Sequence, residues 1–172
     1  MNRSVVPSLV FMGVAGCGKS TLAAAVAQAQ GLRLLEGDEF HSPANRAKMS
    51  QGVPLDDTDR DGWLHSLGDQ LRAAPDGMAL TCSALKRKYR DRLREASPGV
   101  CFIFLDLSRE AALVREGARA AHFFSASLVD SQFEALERPD GEPGVLRVDA
   151  TASLDELQSQ VSGWLQGAVT SN

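Results

Sequence analysis

The chain has 172 residues, of which 44% are hydrophobic and 23% are charged, and its formal net charge is −4. This length fits about one domain with one sizeable core. The negative charge gives no electrostatic reason to expect nucleic acid or an anionic membrane as a partner, so an anionic ligand would need a local basic pocket.

The cysteines and the N-terminal segment indicate the compartment. Cys17, Cys82 and Cys101 have the spacing of neither a zinc site nor a redox pair, and free thiols are typical of a reducing compartment. The apolar run at 5–12 resembles a signal peptide, but Pro7 and Ser8 interrupt it. No run approaches the ~18–20 apolar residues that cross a bilayer. We therefore expect a cytoplasmic protein.

Short apolar runs alternate with longer helical stretches along the chain. The runs predict strands at 9–12, 32–35, 78–82, 101–107 and 145–148. The stretches between and after them predict helices at 19–30, 44–51, 60–73, 85–96, 109–121, 127–136 and 154–165. Strands separated by helices imply a parallel sheet with right-handed crossovers, so the predicted fold class is α/β, a three-layer sandwich. Ligands of such sheets bind beyond the carboxyl ends of the strands.

The strongest motif follows the first predicted strand and fits G-x-x-x-x-G-K-[ST] in full. With the residue after it, the motif consists of Gly13, Val14, Ala15, Gly16, Cys17, Gly18, Lys19, Ser20 and Thr21. Glycines let backbone N–H groups curl round phosphate oxygens, and the following helix aims its positive end at them. Lys19 is predicted to neutralise the β- and γ-phosphates, and Ser20 to bind Mg²⁺. A chance glycine-rich turn would lack the strand before it and the helix after it.

A GTPase is the first alternative to a kinase. Residues 59–62 fit the D-x-x-G pattern of GTPase switches, but no apolar strand precedes them and no N-K-x-D guanine motif exists. A P-loop kinase that uses ATP and Mg²⁺ needs a substrate-binding segment and an arginine-bearing lid. Candidates for both occur at about 39–74 and 115–136, within one domain spanning 1–172.

Asp38 and His41 follow the second predicted strand. A carboxylate there can face the phosphate loop, so Asp38 is predicted to orient the attacking alcohol as a catalytic residue, or to hold Mg²⁺ through water. The alternative is a turn or N-cap aspartate. His41 is predicted to contact substrate, because no metal-ligand cluster surrounds it.

Basic residues follow the third and fourth strands. Lys86 and Arg90 lie four apart at a helix start, where they could bind a carboxylate; the alternative is a solvated charged helix. Arg115, Arg119 and His122 share a helix face on the predicted lid, where arginines would stabilise the transferring phosphoryl group. The alternative interpretation is that these residues belong to a surface helix stabilised by salt bridges.

Taken together, these stretches resemble the gluconate kinase family of small P-loop kinases. Besides the phosphate loop, the matching stretches include Gly37-Asp38 with His41, residues 54–64 (P-L-D-D-T-D-R-D-G-W-L), residues 82–86 (C-S-A-L-K), His122-Phe123 and residues 131–134 (S-Q-F-E). The resemblance covers nearly the whole chain. It implies a nucleoside-monophosphate-kinase-like sheet with strand order 2-3-1-4-5. It also makes a homodimer a possible assembly of this chain.

The implied reaction is phosphorylation of D-gluconate by ATP to give 6-phospho-D-gluconate and ADP. The predicted substrate-binding residues are Asp38, His41, Asn45, Arg60, Ser83, Lys86, Arg90 and His122. Two other functions stay open: a kinase of another hydroxylated metabolite such as shikimate, and a nucleotide-binding regulatory module without turnover. The second is favoured only by departures from the family pattern at Glu116, Ala121, Ser125 and Ala126.

Overall fold

The computed structural model describes residues 6–118 and 126–170. The strands in these ranges are β1 (Leu9–Met12), β2 (Arg33–Glu36), β3 (Met78–Thr81), β4 (Cys101–Asp106) and β5 (Val145–Asp149). They pair in parallel in the order β2-β3-β1-β4-β5. The predicted fold class and the strand order implied by the resemblance are both confirmed.

Helices cover both faces of the sheet. They are α1 (Lys19–Gln30), α2 (Pro43–Ser50), α3 (Asp57–Arg72), α4 (Arg87–Ala96), α5 (Arg109–Ala118), α6 (Ala126–Ala135) and α7 (Leu154–Thr170). The four residues of the central strand β1 are fully buried. Leu9 and Phe11 belong to the core on the α1 and α7 face, whereas Val10 and Met12 belong to the core against α3 and α4. This alternation follows from the two-residue period of a strand, and it gives the predicted three layers.

Most predicted element boundaries differ from the structure by a few residues. Helix α3 begins three residues before the predicted start, because Asp56 and Asp59 form a capping box. The Asp59 N–H donates to Asp56 Oδ1 at 2.8 Å, and the Asp56 N–H donates to Asp59 Oδ2 at 3.1 Å. These two bonds satisfy amides that a helix start leaves unpaired. Asp56 and Asp59, which lie in the 54–64 stretch of the resemblance, are thus helix-start residues.

Arg90 is the clearest correction to the predicted site. It was expected to bind a substrate carboxylate, but its side chain is fully buried and donates to Glu142, at 2.6 Å for the shorter of two bonds, and to the carbonyls of Ala84 and Glu137. Burial raises the pKa of Glu142, but bonds from Arg90 and Arg94 outweigh it and hold this pKa below its ordinary value. Arg90 therefore joins α4 to the segment before β5 instead of contacting substrate.

Replacing Glu142 with glutamine should lower the free energy of unfolding by about 3–5 kcal/mol, because it leaves the Arg90 charge buried without a counter-charge. Urea denaturation followed by circular dichroism measures the loss. The control is Asp91→Asn, which removes an exposed partner of Arg94 and should cost about 1 kcal/mol or less. Equal effects of the two substitutions would contradict the structural role of the buried pair.

Candidate active site

The phosphate loop connects β1 to α1 and depends on glycine at three positions. Gly13, Gly16 and Gly18 have φ values of 146°, 78° and 98°, in the region that side chains disfavour. A Cβ on Gly13 would also lie 2.8 Å from the Leu105 carbonyl oxygen and 2.8 Å from Cys17 Sγ. The backbone can curl here only without side chains, and it leaves the first-turn amides of α1 at the mouth of the loop.

Lys19 lies over this loop. Its ammonium group donates to the carbonyls of Gly13 at 3.0 Å and Val14 at 3.1 Å. The charge is thereby held beside the amides that would receive phosphate oxygens. Cys17 is buried within the loop, with 1% of its surface exposed.

Glu36 is a site residue that the sequence reasoning missed. Its Oε2 atom accepts hydrogen bonds from the Ser20 hydroxyl at 2.9 Å and the Thr81 hydroxyl at 2.6 Å. The Thr81 hydroxyl in turn accepts from the Gly37 N–H at 3.2 Å. A hydroxyl and a carboxylate are oxygen ligands of the kind that Mg²⁺ takes beside substrate phosphates, so this pair fits the cofactor. The available signal was the position of Glu36 at the end of β2, two residues before Asp38.

Asp38 and His41 lie on the 3₁₀ turn Gly37–Phe40 and the residue after it. The Asp38 side chain is 77% exposed, and its Oδ1 lies 3.9 Å from His41 Nε2. The His41 ring stacks on Trp63 with centroids 4.2 Å apart, and Trp63 Nε1 donates to the Gly37 carbonyl at 2.7 Å. The geometry of the turn is thus held by its contact with α3, and it leaves the Asp38 carboxylate exposed.

Asn45 sets the tautomer of His41. Its Nδ2 donates to the Asp59 carbonyl at 2.8 Å, which identifies the nitrogen of this carboxamide, and the same atom lies 3.3 Å from His41 Nδ1. Nδ1 must therefore accept, so the ring proton lies on Nε2, on the Asp38 side. Asn45 is itself buried and acts on the site through His41.

His41 should be neutral near pH 7. Burial lowers its pKa below the ordinary 6.5, and Arg60 and Arg46 lower it further, against Asp38, which raises it. The unfolded chain binds the His41 proton more tightly than the folded chain does. The contribution of His41 to the free energy of unfolding should therefore be fully present above about pH 6.5 and should be lost as the pH falls toward the pKa of His41 in the folded protein. Nitrogen-detected NMR should find a ring pKa below 6.5 and the proton on Nε2. His41→Gln assigns the signals, and His65→Gln, at an exposed position, is the control; a pKa above 6.5 would contradict the assignment.

Arg60 and Lys86 are both predicted to bind substrate, but in the structure only Arg60 of the two lines the cavity beside the phosphate loop. Arg60 faces a cavity, where its Nη1 donates to the Leu55 carbonyl at 2.6 Å and to the Tyr89 hydroxyl at 3.3 Å. Lys86 lies outside the lining of that cavity and pairs with Asp57 at 3.3 Å. Lys88 and the Tyr89 hydroxyl also bind Asp57, and these bonds, with that of Lys86, lower its carboxyl pKa well below the usual range. Lys86 therefore belongs to a surface ion-pair cluster.

Two cavities meet at the phosphate loop. The first, of about 360 Å³, is lined by loop residues together with Asp38, His41, Arg60, Ser83, Ser131 and Gln132. The second, of about 410 Å³, is lined by Arg115, Ala150, Ala152, Leu154 and Leu157. Gly16, Gly18 and Thr21 line both cavities. A phosphate chain in the loop could therefore run from one cavity to the other.

The structure describes residues 115–118 and 126–136 of the predicted lid. Arg115 donates to the carbonyls of Gly16 at 2.6 Å and Ala150 at 3.1 Å, so it joins the phosphate loop to the segment after β5. Arg119 and His122, predicted to act on the phosphoryl group and the substrate, lie outside the described residues.

A parallel sheet in this order, with a phosphate loop between two cavities, defines a P-loop kinase. A family model described as an AAA domain matches residues 9–139. The thermosensitive gluconokinase of Escherichia coli K12 is 41% identical over 157 residues, which cover 89% of this chain and 84% of that protein. The gluconokinase of Gluconobacter oxydans 621H is 46% identical over 156 residues, covering 89% and 88%.

A solved structure agrees with these relatives. The crystal structure of a gluconokinase from Sinorhizobium meliloti 1021 superimposes with a TM-score of 0.91 at 40% identity, covering 98% of this chain and 97% of that chain. The chain belongs to the gluconokinase family, and it is an ATP-dependent kinase that uses Mg²⁺. Within the described ranges, no helix is both long enough and apolar enough to cross a bilayer.

Proposed function

We propose that this chain transfers the γ-phosphoryl group of ATP to D-gluconate, giving 6-phospho-D-gluconate and ADP. The observation that carries the proposal is the meeting of two cavities at the phosphate loop, one of them lined by Asp38, His41 and Arg60. The gluconokinases among its relatives supply the identity of the acceptor. The polar side chains that line the first cavity suit a substrate with one carboxylate and several hydroxyl groups.

The second cavity is assigned to the nucleoside. Arg115 crosses it between Gly16 and Ala150, and a planar guanidinium there can stack on a base. Leu154 and Leu157 supply an apolar wall. The loop amides and Lys19 would hold the phosphates, and Arg119 keeps its predicted place on the transferring group.

Ser20 and Glu36 are assigned to the metal. Mg²⁺ bridging the phosphates neutralises charge that develops during transfer. The Ser20 hydroxyl donates its proton to Glu36, which leaves the oxygen lone pairs free for the metal. Asp38, the other predicted metal residue, is farther along the same sheet edge, and we assign it to the acceptor.

In the first cavity, Asp38 would accept the proton of the attacking hydroxyl as the phosphoryl group is transferred. The His41 Nε2–H and the Ser83 hydroxyl, which line this cavity, would bind other hydroxyl groups of the acceptor. His122 keeps its predicted role in substrate binding. Arg60 is assigned to the carboxylate, because it is the cationic side chain of this cavity that lies away from the phosphate loop. Closure of the lid over both ligands would exclude water.

A substrate panel tests the proposed function. ADP release is measured in a coupled assay with gluconate, shikimate, glucitol and no acceptor, at saturating MgATP. Gluconate should give the highest kcat/KM by a factor of at least about 10² over the neutral polyol glucitol. Phosphorylation of shikimate without gluconate would reassign the substrate. ATP binding without ADP release would indicate a regulatory module.

Arg60 should determine recognition of the carboxylate. Arg60→Met removes a charge-assisted hydrogen bond of about 1.5–3 kcal/mol, so KM for gluconate should rise roughly 10- to 150-fold. The preference for gluconate over glucitol should shrink by the same factor. Lys86→Met removes the same charge outside the cavity and is the matched control, with little expected change. An unchanged gluconate preference in Arg60→Met would move the carboxylate site elsewhere.

A further inference from the structure

Gln132 makes an unexplained contact with the phosphate loop. Its Oε1 accepts a hydrogen bond from the Ala15 N–H at 2.6 Å, across 117 positions of the chain. Because the partner is a backbone donor, the oxygen of the carboxamide faces the loop, and the NH₂ group must point elsewhere. Among residues 6–118 and 126–170, no partner bonds Nε2, whereas Gln132 lines the first cavity.

The position of Gln132 is set by the packing of α6. Val129, one turn before it, is buried, and Phe133 and Leu136 pack against the core on the α1 and α7 face. Asp130 pairs with Arg109 of α5 at 2.6 Å. After the helix, the Glu137 N–H donates to the Leu85 carbonyl at 2.7 Å. Because α6 is fixed by contacts on both sides of Gln132, this side chain is held in place over the phosphate loop.

The contact lies where the two cavities join. Ala15 lines the first cavity, and its neighbour Gly16 lines both. A phosphoryl group passing from the nucleotide to the acceptor must cross this place. An amide NH₂ here is a neutral donor that cannot lose its proton, and it would meet the charge that builds on the equatorial phosphoryl oxygens.

We propose that Gln132 binds the transferring γ-phosphoryl group through Nε2 while Oε1 holds Ala15. This inference rests on the proposed function for its reaction, but the contact itself needs only ATP. The competing explanation is a structural contact that merely fastens α6 to the loop. The two explanations predict different nucleotide binding and turnover for a variant that keeps the carboxamide oxygen and loses the NH₂ group.

Gln132→Glu makes that change, because a carboxylate oxygen can still accept from Ala15 while the second oxygen repels the phosphoryl group. Isothermal titration with Mg²⁺ compares a non-hydrolysable ATP analogue with ADP. The proposal expects the ratio of their dissociation constants, analogue over ADP, to rise at least about tenfold. It also expects kcat with gluconate to fall roughly 10²-fold. Gln160→Glu, on the exposed face of α7, controls for the added charge.

The outcomes separate the proposals. An unchanged dissociation-constant ratio and a kcat within twofold of wild type would overturn the role of Gln132 and leave a structural contact. Gln132→Met loses both groups; if it alone is impaired, the structural explanation is again correct. Failure of the wild-type protein to phosphorylate gluconate would refute the proposed substrate. The ratio of the dissociation constants of the ATP analogue and ADP would still decide the role of Gln132.

Discussion

Replacing Lys19 with alanine should reduce kcat by about 10²–10³-fold, the cost typical of removing one preorganised electrostatic donor. The ammonium group lies 3.0 and 3.1 Å from two loop carbonyls, so it is held in place before the nucleotide arrives. Its charge acts mainly on the phosphoryl group in the transition state. The loss should therefore appear more strongly in kcat than in the affinity for ADP.

Steady-state kinetics with gluconate and calorimetry with MgADP measure the two quantities. Lys88→Ala removes an exposed lysine that pairs with Asp57 and is the matched control, with turnover expected close to that of wild type. Near-normal turnover of Lys19→Ala would contradict the assigned role. A variant that melts at the wild-type temperature would exclude a folding defect as the cause of lost activity.

Asp38→Asn should reduce kcat by about 10²–10⁴-fold, the range attributed to a positioned general base. Asparagine keeps the shape of the side chain but cannot take the proton of the attacking hydroxyl. MgATP affinity should change little, because Ser20 and Glu36 are the residues assigned to the metal.

Two neighbouring acids sharpen this experiment. Glu39→Gln changes an exposed carboxylate on the same turn and should leave turnover near wild type. Glu36→Gln should show the opposite pattern to Asp38→Asn, with a raised requirement for Mg²⁺ in nucleotide binding. If MgATP binding collapses in Asp38→Asn and survives in Glu36→Gln, the roles of the two carboxylates are exchanged.

The parts of this molecule predicted well from sequence are those determined by neighbouring residues. The phosphate loop is a contiguous motif, and the strands are short apolar runs buried on both faces, as for Leu9–Met12. Helix α3 began earlier than predicted, but the capping residues Asp56 and Asp59 were visible in the sequence. Local chemistry was sufficient for these features.

The errors concern partners that are distant along the chain. Arg90 has the spacing of a substrate-binding residue, yet Glu142, 52 positions later, pairs with it in the core. Glu36 matters because Ser20 of α1 and Thr81 of β3 both donate hydrogen bonds to it. Gln132 meets Ala15 only once α6 has packed against α5 and the core. Periodicity along one segment contains no information about such pairings.

Calorimetric titration of the folded protein with ATP in the presence of Mg²⁺ measures whether the phosphate loop binds a nucleotide. We expect saturable binding of one nucleotide per chain, and we expect this binding to weaken when Mg²⁺ is withdrawn. A titration with no saturable heat, on protein that melts cooperatively, would contradict both nucleotide binding by the loop and the kinase function built on it.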